Sequence, residues 1–234
     1  MSYPLPVEDT LRSAWAKVYG AKQTIWIAFG ILLAIAFCLG LIEGIAEIAG
    51  TALYSAAKLI TNIVSYLLQI GVLYIGICRA KDTPIHYQQM FRAFSLQRAL
   101  RIAGLYLSEM VILIVPALIA ASGMFIMTAS FPVAGLIGIL VLCFGLIAGI
   151  YLVTRLLPSL AIILDQDLGP IQAIKLSFKL THGNVLRLLL LSLIQILILI
   201  ISAIPLGIGL IWALPFTFIT YGMIYKNLLQ NQTA

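Results

Sequence analysis

The sequence predicts an all-α polytopic membrane protein, with six transmembrane helices and amphipathic interfacial helices in a single domain over residues 1–234. Three observations predict it. Composition is the first: 62% of the residues are hydrophobic and only 9% charged, against roughly 25% charged in a soluble domain. So few charges could not solvate the surface of a folded chain this apolar, whereas a bilayer could. The second is six apolar runs, 24–42, 59–78, 102–122, 133–153, 186–204 and 207–225, each near the roughly 20 residues that cross hydrocarbon as a helix. Backbone amides in hydrocarbon have to be satisfied inside the segment, which continuous runs achieve as helices. The period-two alternation of a membrane barrel is absent.

The third is the sorting of charge. Arg12, Lys17 and Lys22 precede the first run, and Arg79, Lys81, Arg92, Arg98 and Arg101 lie between the second and third. Arg155, Lys175, Lys179 and Arg187 sit at or between the fourth and fifth, and Lys226 follows the sixth. With six spans all thirteen fall on one side, and only Lys58 falls on the other, beside Glu43 and Glu47. Excess Lys and Arg marks the cytoplasmic face, so both termini are expected in the cytoplasm. The first twenty residues lack a short apolar core ending in small residues, so the first span, not a cleaved leader, is expected to anchor the chain.

Each cytoplasmic segment reads as an interfacial helix. Val7, Leu11, Ala14, Trp15 and Val18 form one apolar stripe at helical spacing, with Glu8, Asp9, Arg12 and Lys17 off it. Thr83-Pro84 supplies an N-cap and a first-turn proline for a second helix, on which Tyr87, Met90, Phe91 and Phe94 share a face. Gly169-Pro170 starts a third and Gly183-Asn184 ends it; Gln172, Lys175, Lys179 and His182 make its narrow polar stripe. On the far side, Ile45, Ile48, Ala49 and Ala52 suggest a short helix lying on the outer surface.

The second and third segments match at an offset of 86: Pro84-Ile85 on Pro170-Ile171, Arg101 on Arg187, Glu109 on Gln195, Gly123 on Gly209. This suggests three copies of an amphipathic helix plus a hairpin, over 6–80, 83–168 and 169–230. The copies would be parallel, which tilts against the inverted repeats of many alternating-access transporters.

Little chemistry is visible. His86 and His182 have no Cys, Asp or Glu at ligand spacing, so they read as interfacial histidines. Asp165 and Asp167 could attract a cation, but they also precede the Pro170 helix and favour its positive end. No phosphate loop, nucleophile elbow or zinc-protease motif occurs, so no catalytic residue, cofactor or metal site is expected. Cys38, Cys78 and Cys143 read as small packing residues. Pro116, Pro205 and Pro215 are expected to kink or end their helices.

Ionisable groups within hydrocarbon are costly and usually paired or functional. Glu109 lies eight residues beyond Arg101, about 12 Å deep if Arg101 marks the interface. Arg155 would be about 15 Å deep if its helix continues to Asp165. The two could form an ion pair; alternatively Arg155 simply ends its span and Glu109 is protonated or faces a wet crevice. Gln69, Asn62, Ser65 and Gln195 read as interhelical hydrogen-bonding residues, and Glu109, Arg155, Gln195 and Gln69 make the candidate intramembrane polar site.

Residues 158–187 have a proline near a span end, an acidic residue, a helix A-x-x-x-S-x-x-L, then Gly-Asn and a basic residue. The positions are Pro158, Asp165, Ala173, Ser177, Leu180, Gly183, Asn184 and Arg187. This stretch resembles the YciC-like inner-membrane proteins and the related membrane domains attached to some glycerophosphodiester phosphodiesterases. The resemblance implies a bacterial inner-membrane protein; with no soluble phosphodiesterase domain in this sequence, that activity does not carry over. A net charge of +6 would point to nucleic acid in a soluble protein, but here the cations flank apolar runs. The expected partners are the bilayer and its anionic headgroups, or a membrane protein, and no nucleic acid. Two functions compete: a non-enzymatic module in envelope or lipid homeostasis, and a permease for a small or lipidic solute using Glu109.

Overall fold

A computed structural model describes residues 5–129, 132–204 and 206–233; Pro205, expected to shape its helix, lies outside them. All regular structure among the described residues is helical. The helices are α1 (Val7–Val18), α2 (Lys22–Ala49), α3 (Thr51–Ala80), a 3-10 helix (Tyr87–Phe94), α4 (Leu96–Met127), α5 (Ala134–Leu156), α6 (Ser159–Gln166), α7 (Pro170–Leu180), α8 (Val185–Ala203) and α9 (Leu210–Thr233). Five stretches are long and apolar enough to cross a bilayer: α2, α3, α4, the run Ala134–Gln166 and α8. The chain is therefore an all-α membrane protein with several spans. The sixth apolar run is α9, whose hydropathy is lowered by residues such as Thr217, Thr220 and Tyr225. Thr220 and Tyr225 are buried, and the threonine hydroxyls donate to Ala213 and Phe216 one turn back, so α9 need not be apolar all round.

The chain packs as two compact units, a terminal one of Leu5–Ala99 with Leu190–Ala234 and a central one of Leu100–Leu189. In the terminal unit, Ile25, Ala28 and Leu32 of α2 join Leu68, Val72 and Ile75 of α3 and Ile219 of α9 in the core. Helices α3 and α9 run in the same direction at their crossing, because Gly76 meets Phe218 and Gly222 meets Ala80. A Cβ on Gly76 would lie 2.5 Å from the Phe218 carbonyl oxygen, so only glycine permits this approach.

Three local expectations are corrected. No separate helix lies across the outer end of the first hairpin: α2 continues through Ala49, and Gly50, at φ +132°, turns the chain directly into α3. With 28 and 30 residues, these helices are about 42 and 45 Å long, longer than a hydrocarbon layer of about 30 Å. Helical propensity simply runs on until the glycine. Secondly, Thr83 does not begin a helix; its hydroxyl donates to the Cys78 carbonyl and closes α3. The next helix starts after His86, is of the 3-10 type, and repeats every three residues. Met90 and Ala93 are therefore buried together while the rings of Phe91 and Phe94 meet at 6.0 Å, tilted by 53°. Thirdly, the stripe of α1 is buried only in part: Ala14 and Val18 are buried together with Thr10, which lies off it, while Trp15 is 47% exposed; the Asn227 amide donates to Thr10. Of the cysteines, Cys78 alone is buried.

In the central unit, α4 and α5 pack through small residues: a Cβ on Gly123 would meet the Leu142 amide at 2.4 Å, and one on Gly145 the Ala120 amide at 2.5 Å. Gly138 lies at the same contact; Gly135 touches nothing. Helix α7 begins at Gly169-Pro170 as expected. Gln172, Lys175, Lys179 and His182 are all exposed, and Ala173, Ser177, Leu180 and Asn184 are all buried.

Candidate functional site

The polar groups of the central unit gather at the bend between α5 and α6. Pro158 has no N–H for the Thr154 carbonyl, so the last turn of α5 is left with acceptors that side chains must satisfy. Ser177 Oγ donates to the Arg155 carbonyl at 2.6 Å. Ser159 Oγ lies 2.5 Å from the Leu156 carbonyl and 2.6 Å from Glu109 Oε1, so its hydroxyl has two acceptors within reach.

The side chain of Arg155 turns to α7. Its guanidinium donates to the Phe178 carbonyl, to Thr181 Oγ1 at 3.3 Å and to Tyr151 Oη at 3.0 Å. It also lies 4.7 Å from the Phe178 ring centroid, where ring quadrupole and cation attract. Thr181 in turn donates to the Ser177 carbonyl at 2.8 Å. Glu109 and Arg155 thus form no ion pair among the described residues; each finds another partner on opposite sides of the same bend. The reason is geometric. Arg155 is bonded at the end of α7 and by Tyr151 of its own helix, and Glu109 by the hydroxyl that follows Pro158.

The residues of the sequence pattern at 158–187 are this architecture. Pro158 makes the bend, Ser177 satisfies it, and Ala173, Leu180 and Asn184 are buried on the same side of α7 and just beyond it. Gly183, at φ +78°, turns the chain into α8. Asp165 lies on α6 and Arg187 on α8, both half-buried. Asp167, at φ +54°, engages Arg101. The guanidinium donates to its carbonyl and lies 3.7 Å from its carboxylate. Ser159, Thr181 and Phe178 were not singled out from sequence; Ser159 was findable as the hydroxyl directly after a proline that strands acceptors. Substituting Ser177 by valine is expected to strand the Arg155 carbonyl and lower stability by about 1–3 kcal/mol, read as earlier thermal aggregation in detergent. Wild-type behaviour would show that the bend does not need this bond.

Gln69 and Gln195 belong to the terminal unit. Gln69 is exposed on α3, as is Asn62, so neither acts as buried glue. Gln195 Nε2 is buried without a hydrogen-bond partner among the described residues.

A second polar cluster closes one end of the terminal unit. Lys17 and Lys226 both donate to the Ala80 carbonyl, at 3.1 Å each, and both pair with the Asp82 carboxylate. Arg79 donates to the Lys17 and Tyr19 carbonyls. Hydrogen bonds from Lys17 and Lys226 hold the Asp82 carboxyl below the usual carboxylate range. A depressed carboxylate pKa stabilises above the unfolded value of about 4 and stops doing so as pH falls through the folded value. Docking of α1 and the end of α9 is therefore expected to hold at neutral pH and release only in acid below roughly pH 4. Asp82→Asn, which tolerates the observed φ of +61°, should raise proteolysis within α1 at pH 7 and abolish the acid step. Because Asp82 is 62% exposed, global stability should change by less than about 1 kcal/mol. An unchanged digestion pattern would mean that the carboxylate does not hold the termini.

Residues 9–232 match a protein family described as a protein of unknown function, DUF975. No curated protein and no solved structure matches the chain.

Proposed function

Because the chain belongs to the DUF975 family of unknown function, its role has to be read from its own residues, and we propose a non-enzymatic multi-pass membrane module that acts through lipids or a membrane partner in envelope or lipid homeostasis. The observation that carries this reading is the use of the intramembrane charges. Arg155 is bonded to α7 and Glu109 to the bend beside it, so both serve the fold of the central unit. A coupling residue in a permease has to change partners during the cycle; Glu109 would have to leave Ser159 to do so.

The proposal includes a bacterial inner membrane with both termini in the cytoplasm. It is supported by the thirteen cations on one side in a six-span reading. It is supported also by the meeting of Lys17, Asp82 and Lys226 at one end of the terminal unit. The three-repeat organisation and the likeness to YciC-like proteins belong to the same proposal. The first is supported by Gly123 and Gly209, equivalent positions that both make close approaches, the latter to Ser202. The second rests on the 158–187 pattern.

The test is a deletion strain examined by lipidomics and by uptake of a solute panel, complemented with wild type or Glu109→Gln. Altered lipid composition, restored equally by both genes, is expected. An uptake defect that wild type repairs and Glu109→Gln does not would establish the permease reading instead. Reporter fusions at both termini check the orientation.

A further inference from the structure

Two grooves of about 780 and 520 Å³ lie side by side in the terminal unit and share Trp212 as their common wall. The larger is lined by Tyr19, Lys22, Gln23, Trp26 and Ile211, the smaller by Leu11, Trp15, Ile198, Ala213 and Phe216. All three tryptophans of the chain therefore face them. The Lys22 ammonium lies 4.0 Å from the Trp212 ring centroid and makes no hydrogen bond or ion pair among the described residues. Its neighbours differ: Lys17 and Lys226 share the Asp82 carboxylate, and Arg79 is bonded to backbone carbonyls. The Trp26 indole N–H is also occupied, by the Ile211 carbonyl at 2.9 Å, and Lys22 is the one cation among the residues that line the two grooves.

We infer that this pair of grooves is a binding site for one anionic phospholipid, its phosphate on Lys22 and an acyl chain along Trp212 into the smaller groove. The inference rests on the lipid-directed reading above and gives it an address. Charge complementarity selects the occupant. A single cation with unused donors sits at the start of the first span, where Lys and Trp meet headgroups, and the space beyond it is walled by aliphatic and aromatic side chains. A zwitterionic lipid would fill the apolar part equally well, and its net charge would gain less from Lys22. An apolar protein segment would leave the ammonium without its counter-charge.

The tryptophans make the test direct. The full chain is reconstituted in nanodiscs of phosphatidylcholine, and intrinsic fluorescence is quenched with brominated-acyl phosphatidylglycerol or brominated-acyl phosphatidylcholine. Phosphatidylglycerol is expected to quench at about fivefold lower mole fraction, the factor one lysine near an anionic surface supplies. The preference should vanish in Lys22→Gln, persist in Lys22→Arg and shrink in 1 M salt. Equal quenching by the two lipids in the wild type, or unchanged preference in Lys22→Gln, overturns the inference. So does absence of quenching by either lipid, with or without a dimer in light scattering, because the grooves are then filled by protein. Suppression of the preference by millimolar inorganic phosphate at constant ionic strength overturns the acyl-chain part. Should Lys22→Gln fail to reconstitute, the salt dependence of the wild type decides. Each of these failures leaves the lipidomic test of the broader proposal standing, whereas a flat lipidome with intact phosphatidylglycerol selectivity would sink the broader role and keep the site.

Discussion

Replacing Gly71 by alanine is expected to destabilise the protein by about 3 kcal/mol, because overpacking a close backbone contact sits at the upper end of such effects. A Cβ there would fall 1.7 Å from the Met90 carbonyl oxygen and 2.7 Å from the Met90 Cα. The obstacle is backbone, so no rotamer change relieves it, and the 3-10 helix has to move away from α3. Met90 is fully buried, so that movement also opens the core. The control is internal to the molecule. Gly30 and Gly44 on α2 have nothing within 4 Å of an added Cβ, and alanine at either is expected to be neutral or to stabilise by up to about 1 kcal/mol through helix propensity. Thermal unfolding in detergent, followed by size-exclusion chromatography, distinguishes the two classes. A Gly71→Ala protein as stable as Gly30→Ala would mean that the 3-10 helix does not rest on α3.

Arg155→Leu is expected to lower stability by about 3 kcal/mol, while Glu109→Gln lowers it by less than about 1 kcal/mol. The arginine holds α5 to α7 through the Phe178 carbonyl and Thr181. Hydrogen bonds to charged groups contribute about 1.5–3 kcal/mol, and acceptors stripped of their donor in a water-poor setting add their own desolvation. Glutamine keeps an oxygen in the place where Glu109 meets Ser159, so that contact survives the loss of charge. Glu109→Leu removes the acceptor and should cost about 1–3 kcal/mol. The contrast separates two pictures of the central unit. Residues joined as an ion pair would respond alike to removal of either charge, and the double variant would be no worse than the single ones. Equal losses from Glu109→Gln and Arg155→Leu would restore the ion pair; the separate partners in the structure require unequal ones.

How far the site could be read from sequence differs residue by residue. Helix α7 was legible almost completely: Gly169-Pro170 starts it, and its exposed and buried positions fall where the 3.6 period puts them. The 3-10 form of Tyr87–Phe94 was not, since Tyr87, Met90, Phe91 and Phe94 suit an α-helical face equally well; burial of Met90 under Gly71 accompanies the tighter coil. Glu109 and Arg155 were recognisable as groups needing partners, because a charge in an apolar run announces its own cost. Apart from Tyr151, one turn before Arg155, their partners lie 23 to 50 positions away and include a backbone carbonyl, which any residue type offers and no pattern marks.

By itself the sequence determined what surrounds this protein. Apolar content, run length and the sorting of lysine and arginine depend on the solvent of each segment, and solvent preference is a property of residues taken one at a time. The tertiary structure alone decided where each polar group finds its counterpart. It set Arg155 on α7, Glu109 on Ser159, Asp82 between two lysines, and Lys22 on Trp212. Those choices depend on angles and distances between segments remote in the chain.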